Sequence, residues 1–123
     1  MVVARSTVMI VTESALERVV FTAKFLAAGY RVAEAGSVEE AIRKAVRIRP
    51  RALLIEDHLL SLEVLQSFKT LPTLHTALVF VLMHAMEPAG VRGYLENGAT
   101  NLFLRRANAP RDIVRVIHKA LSI

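Results

Sequence analysis

Four short polar clusters carry the chemistry available to this chain: Thr12-Glu13-Ser14, Glu56-Asp57-His58, His84-Ala85 and Arg105-Arg106. Each follows directly on an apolar run, which places it at the end of a buried element. Carboxylate oxygens such as those of Glu13, Glu56 and Asp57 hold hard cations like Mg²⁺. A short carboxylate aligned with such a cation accepts a phosphoryl group. A guanidinium such as that of Arg105 pairs with a carboxylate through two parallel hydrogen bonds. Two other chemistries have little behind them. His84 with Glu13, Glu56 and Asp57 lacks the tight His/Glu spacing of a transition-metal site. Ser14 with His84 as nucleophile and base lacks a nucleophile-elbow motif. His58, His75 and His118 read as solvated surface residues, and Tyr94 as half-buried packing.

The bulk composition narrows the field. The chain has 123 residues, 54% of them hydrophobic, so residues 1–123 are expected to form one domain with a large core. It contains no cysteine, which excludes disulfides, thiolate metal sites and cysteine nucleophiles. No apolar run approaches the roughly 20 residues of a membrane helix, and Arg5 breaks any signal-peptide layout at the start. A cytoplasmic protein with no membrane role is the expectation. The net charge of +5 comes from 16 Lys and Arg against 11 Asp and Glu. The densest basic cluster, Arg43, Lys44, Arg47, Arg49 and Arg51, falls at the end of a predicted helix, where cations complement the helix dipole. No aromatic residues interleave with it to stack on bases, which argues against nucleic acid.

The elements that must position the clusters are legible from periodicity. Apolar runs begin at Val8, Val32, Leu53, Val79 and Leu102, 21 to 26 residues apart. That is the length of one strand plus one crossover helix, the rhythm of a parallel sheet. Four of the runs are continuous, as strands covered on both faces should be; the run at Val32, beside Arg31 and Glu34, reads as an edge strand. Between them, Leu16, Val19, Val20, Ala23, Leu26 and Ala27 recur at helical spacing before Gly29. Ser37 and Glu40 form a capping box ahead of Val38, Ala41, Ile42, Ala45 and Val46, and that helix ends before Pro50. Leu62, Leu65, Gln66 and Phe68 predict a third helix. Val91, Tyr94 and Leu95 predict a fourth, weakened by Gly90 and Gly93. Asn108 is the predicted cap of a fifth, whose buried face is Ile113, Val114, Ile117 and Leu121. In such a sheet, ligands bind at the carboxyl ends of the strands, where the four polar clusters fall.

Taken together, these segments resemble the receiver domain of bacterial response regulators, from about Val8 to Leu121. Val8-Met9-Ile10-Val11-Thr12-Glu13 is similar to the strand that delivers the family's Mg²⁺-holding acidic pair. Arg49-Pro50-Arg51-Ala52-Leu53-Leu54-Ile55-Glu56 is similar to Arg-Pro-Asp-(apolar)₄-Asp, which ends on the phospho-accepting aspartate. Val81-Leu82-Met83-His84-Ala85 stands where the family has an apolar strand, Thr or Ser, then Ala. Asn97-Gly98-Ala99-Thr100-Asn101-Leu102-Phe103-Leu104-Arg105 is similar to Ala-Gly-Ala-Asp-Asp-Tyr-(apolar)₂-Lys. The departures fall on the family's functional positions. Thr12 replaces one acid of the pair and leaves Glu13. Glu56 occupies the acceptor position by its spacing from Pro50, whereas spacing to Ser61 favours Asp57, and both stay open. His84 and Leu102 stand at the two switch positions, Arg105 replaces the lysine, and Arg106 replaces the proline after it.

The resemblance implies an α/β, flavodoxin-like (βα)₅ three-layer sandwich with a parallel five-stranded sheet in order 2-1-3-4-5. It implies a signalling module of a two-component phosphorelay system and not an enzyme. Its changed residues imply an atypical, pseudo-receiver member that acts by protein contact without normal aspartate phosphorylation. No cofactor or metal is expected on this reading. The alternative is a working receiver that accepts phosphate on Asp57 with Mg²⁺ near Glu13. A small flavodoxin-like enzyme or nucleotide binder would need a glycine-rich phosphate loop after the first strand, and none is present. The implied partner is a signalling protein or histidine kinase on the face of the fourth helix, fifth strand and fifth helix, with a homodimer left open. The chain ends two residues after Leu121, so no output domain is expected to follow. Arg105 is expected to pair with an acid at the end of the third strand, Glu56 first.

Overall fold

A computed structural model describes residues 6–122. Strands β1 (Thr7–Val11), β2 (Arg31–Ala35), β3 (Ala52–Glu56), β4 (Leu78–Met83) and β5 (Asn101–Leu104) alternate with helices α1 (Ala15–Ala27), α2 (Val38–Ile48), α3 (Leu62–Thr70), α4 (Pro88–Glu96) and α5 (Pro110–Leu121). The five strands are all parallel and lie in the order β2-β1-β3-β4-β5, as expected from the βα rhythm. The register levels the strand ends: Val11 stands opposite Ala35 and Ile55, Ile55 opposite Val81, and Met83 opposite Leu104. The residues following those positions are therefore delivered to one edge.

Alternation along the strands feeds two cores. Met9, Val11, Leu53, Ile55, Val79 and Val81 point to one face, where they meet Ala41 and Ala45 of α2 and Leu65 and Phe68 of α3. Val8, Ile10, Leu54, Phe80 and Phe103 point to the other, against Phe21 and Phe25 of α1 and Ile113, Val114, Ile117 and Leu121 of α5. The result is three layers, with each central strand buried on both sides.

Four local expectations are corrected. The stripe predicted as the buried face of α1 lies outside: Leu16 is 73% exposed, Val19 64% and Leu26 56%, Ala23 and Ala27 are also exposed, and Val20 is half-buried. Both sides of α1 are apolar, and the larger payload wins. Phe21 and Phe25 bury more area than the aliphatic stripe, and Phe25 meets Tyr30 edge to face at 5.8 Å. In α2, Val46 is exposed, although Val38 and Ile42 pack on the core as expected. The Ser37 hydroxyl accepts the Glu40 N–H, but Glu40 reaches back to the N–H of Gly36, one residue before the expected donor. Asn108 does not cap α5. The N-cap is Ala109, and the Asn108 amide donates instead to the Leu104 carbonyl. Gly29, at φ 91°, ends α1 as its type predicts.

Helix α4 has nine residues, the shortest length among the α-helices together with α3. It contains no buried residue; Val91 and Tyr94 alone rest partly on the core.

Candidate functional site

Strand β3 ends on Glu56, and the chain turns at once into a short 3-10 segment, Asp57–Leu59. The two adjacent carboxylates are thereby sent in different directions. The Glu56 side chain is only 3% exposed. Its Oε1 accepts the Glu13 backbone N–H at 2.7 Å. Its Oε2 lies 3.4 Å from Arg105 Nη2 and 3.4 Å from His58 Nδ1. Asp57 turns towards β4 and accepts two hydrogen bonds from His84, from the backbone N–H at 2.9 Å and from ring Nδ1 at 2.5 Å. Partial burial pushes the Asp57 carboxyl upward, but these hydrogen bonds and the nearby His84 outweigh it and hold the group below the ordinary carboxylate range.

Arg105 follows β5 and is the cation of the site. Its Nη2 donates to Glu17 Oε1 at 3.1 Å. Its Nε lies 2.7 Å from Glu17 Oε2, though the N–H does not point along that line and makes an ion pair without a hydrogen bond. Nη1 sits 2.6 Å from His84 Nε2. A guanidinium can only donate, so His84 Nε2 is the acceptor and Nδ1 carries the proton given to Asp57. The expected pairing of Arg105 with Glu56 is present, but Glu17 is the closer acid.

The remaining predicted residues have definite places. Thr12 is buried; its hydroxyl donates to Glu17 Oε1 at 3.0 Å and accepts the Ser14 N–H at 3.2 Å. Ser14 is the N-cap of α1, accepting the Glu17 N–H. The Glu13 carboxylate is exposed and meets His58 Nε2 at 2.8 Å. Leu102 is buried in the α2–α3 core, and Arg106 is exposed in the turn after β5. The fold thus gathers Thr12, Glu13, Glu56, Asp57, His84 and Arg105 at one edge, with Leu102 set into the core below.

Sequence reasoning missed two members. Glu17 stands three residues after an N-cap serine, a capping-box position, and the first turn of the helix following β1 has to lie at this edge. His58 is exposed, as a surface histidine should be, but it also sits between Glu13 and Glu56. The hydrogen bond to Glu13, and then the charge of Glu56, hold its pKa above the ordinary histidine value. His118 likewise has a partner, the Tyr30 hydroxyl at 2.6 Å. Beside the cluster lies a cleft of about 440 Å³ lined by Asp57, His58, Met83, His84, Gly90 and Tyr94. The Tyr94 hydroxyl donates to the Leu60 carbonyl at 3.1 Å and rests half-buried, as expected.

The donor set does not fit the Mg²⁺ that the family resemblance implies. That ion wants near-octahedral oxygen at about 2.0–2.1 Å. Here the Thr12 hydroxyl is turned to Glu17, Glu13 is taken by His58, Glu56 faces a guanidinium and an imidazole, and both Asp57 oxygens accept from His84.

No protein-family model matches the chain, and no curated protein matches it in sequence. Solved structures match in shape. A response regulator from Thermotoga maritima is 18% identical, with TM-score 0.85 over 96% of this chain and 98% of that one. A CheY-like response regulator receiver domain protein from Methanospirillum hungatei JF-1 is 17% identical, with TM-score 0.84 over 97% and 95%. An orphan response regulator of H. pylori is 13% identical, with TM-score 0.87 over 96% and 98%. The chain has the flavodoxin-like fold of response-regulator receiver domains. Among the described residues no helix is long and apolar enough to cross a membrane.

Proposed function

We propose that this chain is a signalling module of the response-regulator kind that works by contact with another protein and does not run an aspartyl-phosphate cycle. The observation that carries this reading is the placement of Arg105. Its guanidinium touches Glu17, Glu56 and His84 at once, so a permanent cation of the chain offsets the acids that a phosphotransfer pocket would offer to Mg²⁺. Glu56, one methylene longer than aspartate, spends both oxygens on this arrangement and is 3% exposed. At the two switch positions, His84 supplies no hydroxyl and Leu102 is fixed in the core.

Contact surfaces are available. By likeness to the family, α4, β5 and α5 form the partner face for a signalling protein, a kinase or a second copy of the chain. The outward stripe of α1, with Leu16, Val19 and Leu26 exposed, adds an apolar strip of the type that marks interaction surfaces.

A second reading keeps phosphotransfer alive on Asp57, which lines the open cleft, with Mg²⁺ near Glu13. One measurement separates the two. The protein is incubated with a small phosphodonor and Mg²⁺, and its intact mass is recorded. No stoichiometric gain of a phosphoryl group is expected. A gain that vanishes in Asp57→Asn would overturn the pseudo-receiver reading and establish the second.

A further inference from the structure

His58 and His84 lie in different loops, 26 residues apart in sequence, yet their rings stand 5.7 Å apart, centroid to centroid. One ring nitrogen of each and a carboxylate oxygen of Glu56 all lie within 4.8 Å of one another. The far side of each ring is already oriented by an acid. Glu13 Oε1 holds His58 Nε2 at 2.8 Å, and Asp57 Oδ1 holds His84 Nδ1 at 2.5 Å. That leaves His58 Nδ1 and His84 Nε2 turned towards Glu56 and Arg105. A carboxylate behind each histidine fixes the tautomer and makes the inner nitrogen a better ligand, the arrangement that supports imidazole at metal centres.

We propose that His58 Nδ1, His84 Nε2 and Glu56 Oε2 form a site for a divalent transition ion of the zinc type. The spacing of one pair matches a bound ion, and the His84 nitrogen, within 4.8 Å of the other two ligands, closes in on it. Tetrahedral ligands at about 2.0–2.1 Å from zinc stand roughly 3.3 Å from each other, and His58 Nδ1 lies 3.4 Å from Glu56 Oε2. Two imidazoles and one carboxylate suit zinc and its neighbours in the transition series, whereas hard ions want oxygen alone. Two of the three ligands, His58 and His84, also line the cleft beside Tyr94, which gives an ion a route in from solvent. In the ion-free state Arg105 Nη1 occupies His84 Nε2. Arg105 Nη2 also stands 3.4 Å from Glu56 Oε2, so the ion has to displace the guanidinium from both ligands, leaving it on Glu17, which already holds it at 2.7 and 3.1 Å. The tight spacing that the sequence lacks is supplied through space by the β3 and β4 ends.

The inference rests on the reading that this pocket does not serve Mg²⁺-dependent phosphotransfer, and the two fail separately. The full chain, stripped with a chelator, is titrated calorimetrically with Zn²⁺ and with Mg²⁺, and its melting temperature is followed in each. One equivalent of Zn²⁺ is expected to bind and to raise the melting temperature, with no such response to Mg²⁺. His58→Ala and His84→Ala should each weaken zinc binding about tenfold or more, and both side chains are about half exposed, so the fold survives their loss. His75→Ala, on an exposed residue distant from the site, should leave binding unchanged. Absent Zn²⁺ binding, equal response to Mg²⁺, or zinc binding indifferent to both site histidines overturns the inference. Absent binding together with no phosphoryl gain leaves the functional reading standing, whereas a phosphoryl gain with zinc binding intact overturns that reading alone.

Discussion

The last residue of β3 and the first residue of the turn beyond it carry the same functional group and have opposite settings. Glu56 is sealed in, with its charge met by a backbone N–H, a guanidinium and an imidazole. Asp57 lies on the wall of an open cleft and leans on one histidine. Burial makes a carboxylate dependent on its partners, because an unpaired charge in a low-dielectric site is far costlier than one that water can reach. One step along the backbone therefore separates a structural acid from an accessible one.

The strongest way to break the comparison is to remove the cation. Arg105→Met leaves Glu56 buried with two partners and is expected to destabilise the fold towards the lower end of about 3–5 kcal/mol, since Arg105 is itself partly solvated. The paired change Glu56→Met with Arg105→Met should recover part of that loss, because no carboxylate is then buried at Glu56, although the Glu13 N–H loses its acceptor and Glu17 its cation. Chemical denaturation of the three chains measures both; equal stability of wild type and Arg105→Met would show that Glu56 does not depend on the guanidinium.

Asp57→Asn sharpens the contrast from the accessible side. The single amide oxygen can keep only one of the two His84 hydrogen bonds, and its NH2 meets the other donor, so the loss should be about 1 kcal/mol near neutral pH. Because the folded state holds the Asp57 carboxyl below its unfolded value of about 3.8, its stabilisation is present above that pH and is lost as pH falls through the lower folded value. The gap between wild type and Asp57→Asn should accordingly close in acid. A gap that widens in acid would contradict the direction of the shift.

The smallest effect belongs to His58, whose folded pKa is raised above 6.5 by Glu13 and then Glu56. Its contribution is complete below the unfolded value and disappears as pH rises through the folded one. In chelator-treated protein, thermal unfolding of wild type and His58→Gln should differ at pH 5.5 and converge at pH values above the folded pKa, to about 9. Curves that instead diverge with rising pH would mean that His58 does not act as a cation between the two acids.

Most of the architecture could be read in the residues, for reasons visible in particular elements. In α5 the apolar positions Ile113, Val114, Ile117 and Leu121 stand on one side, with Arg111, Arg115 and Lys119 elsewhere, and all four are buried as expected. In α1 two apolar faces compete, and periodicity could not rank an aliphatic stripe against Phe21 and Phe25. The candidate site divides in the same manner. Residues at the carboxyl ends of apolar runs, such as Glu13, Glu56, His84 and Arg105, are legible from position alone. Glu17 is not, because it enters from the first turn of a helix. His58 is not, because its partners are 45 and 2 residues away and meet it only when β1 and β3 pair.

The thin seating of α4 has a consequence for the cleft that it borders. With no side chain fully buried and open space where Gly90 would carry a Cβ, the helix is held chiefly by Val91 and Tyr94. Segments with so few apolar contacts open by themselves, well below the free energy of global unfolding. Amide protons of residues 89–96 should then trade with solvent deuterium while those of β1 and β3 stay locked. The cleft beside His84 would then be bounded on that side by a wall with its own, lower melting cost, and its width would be a population average rather than a fixed dimension.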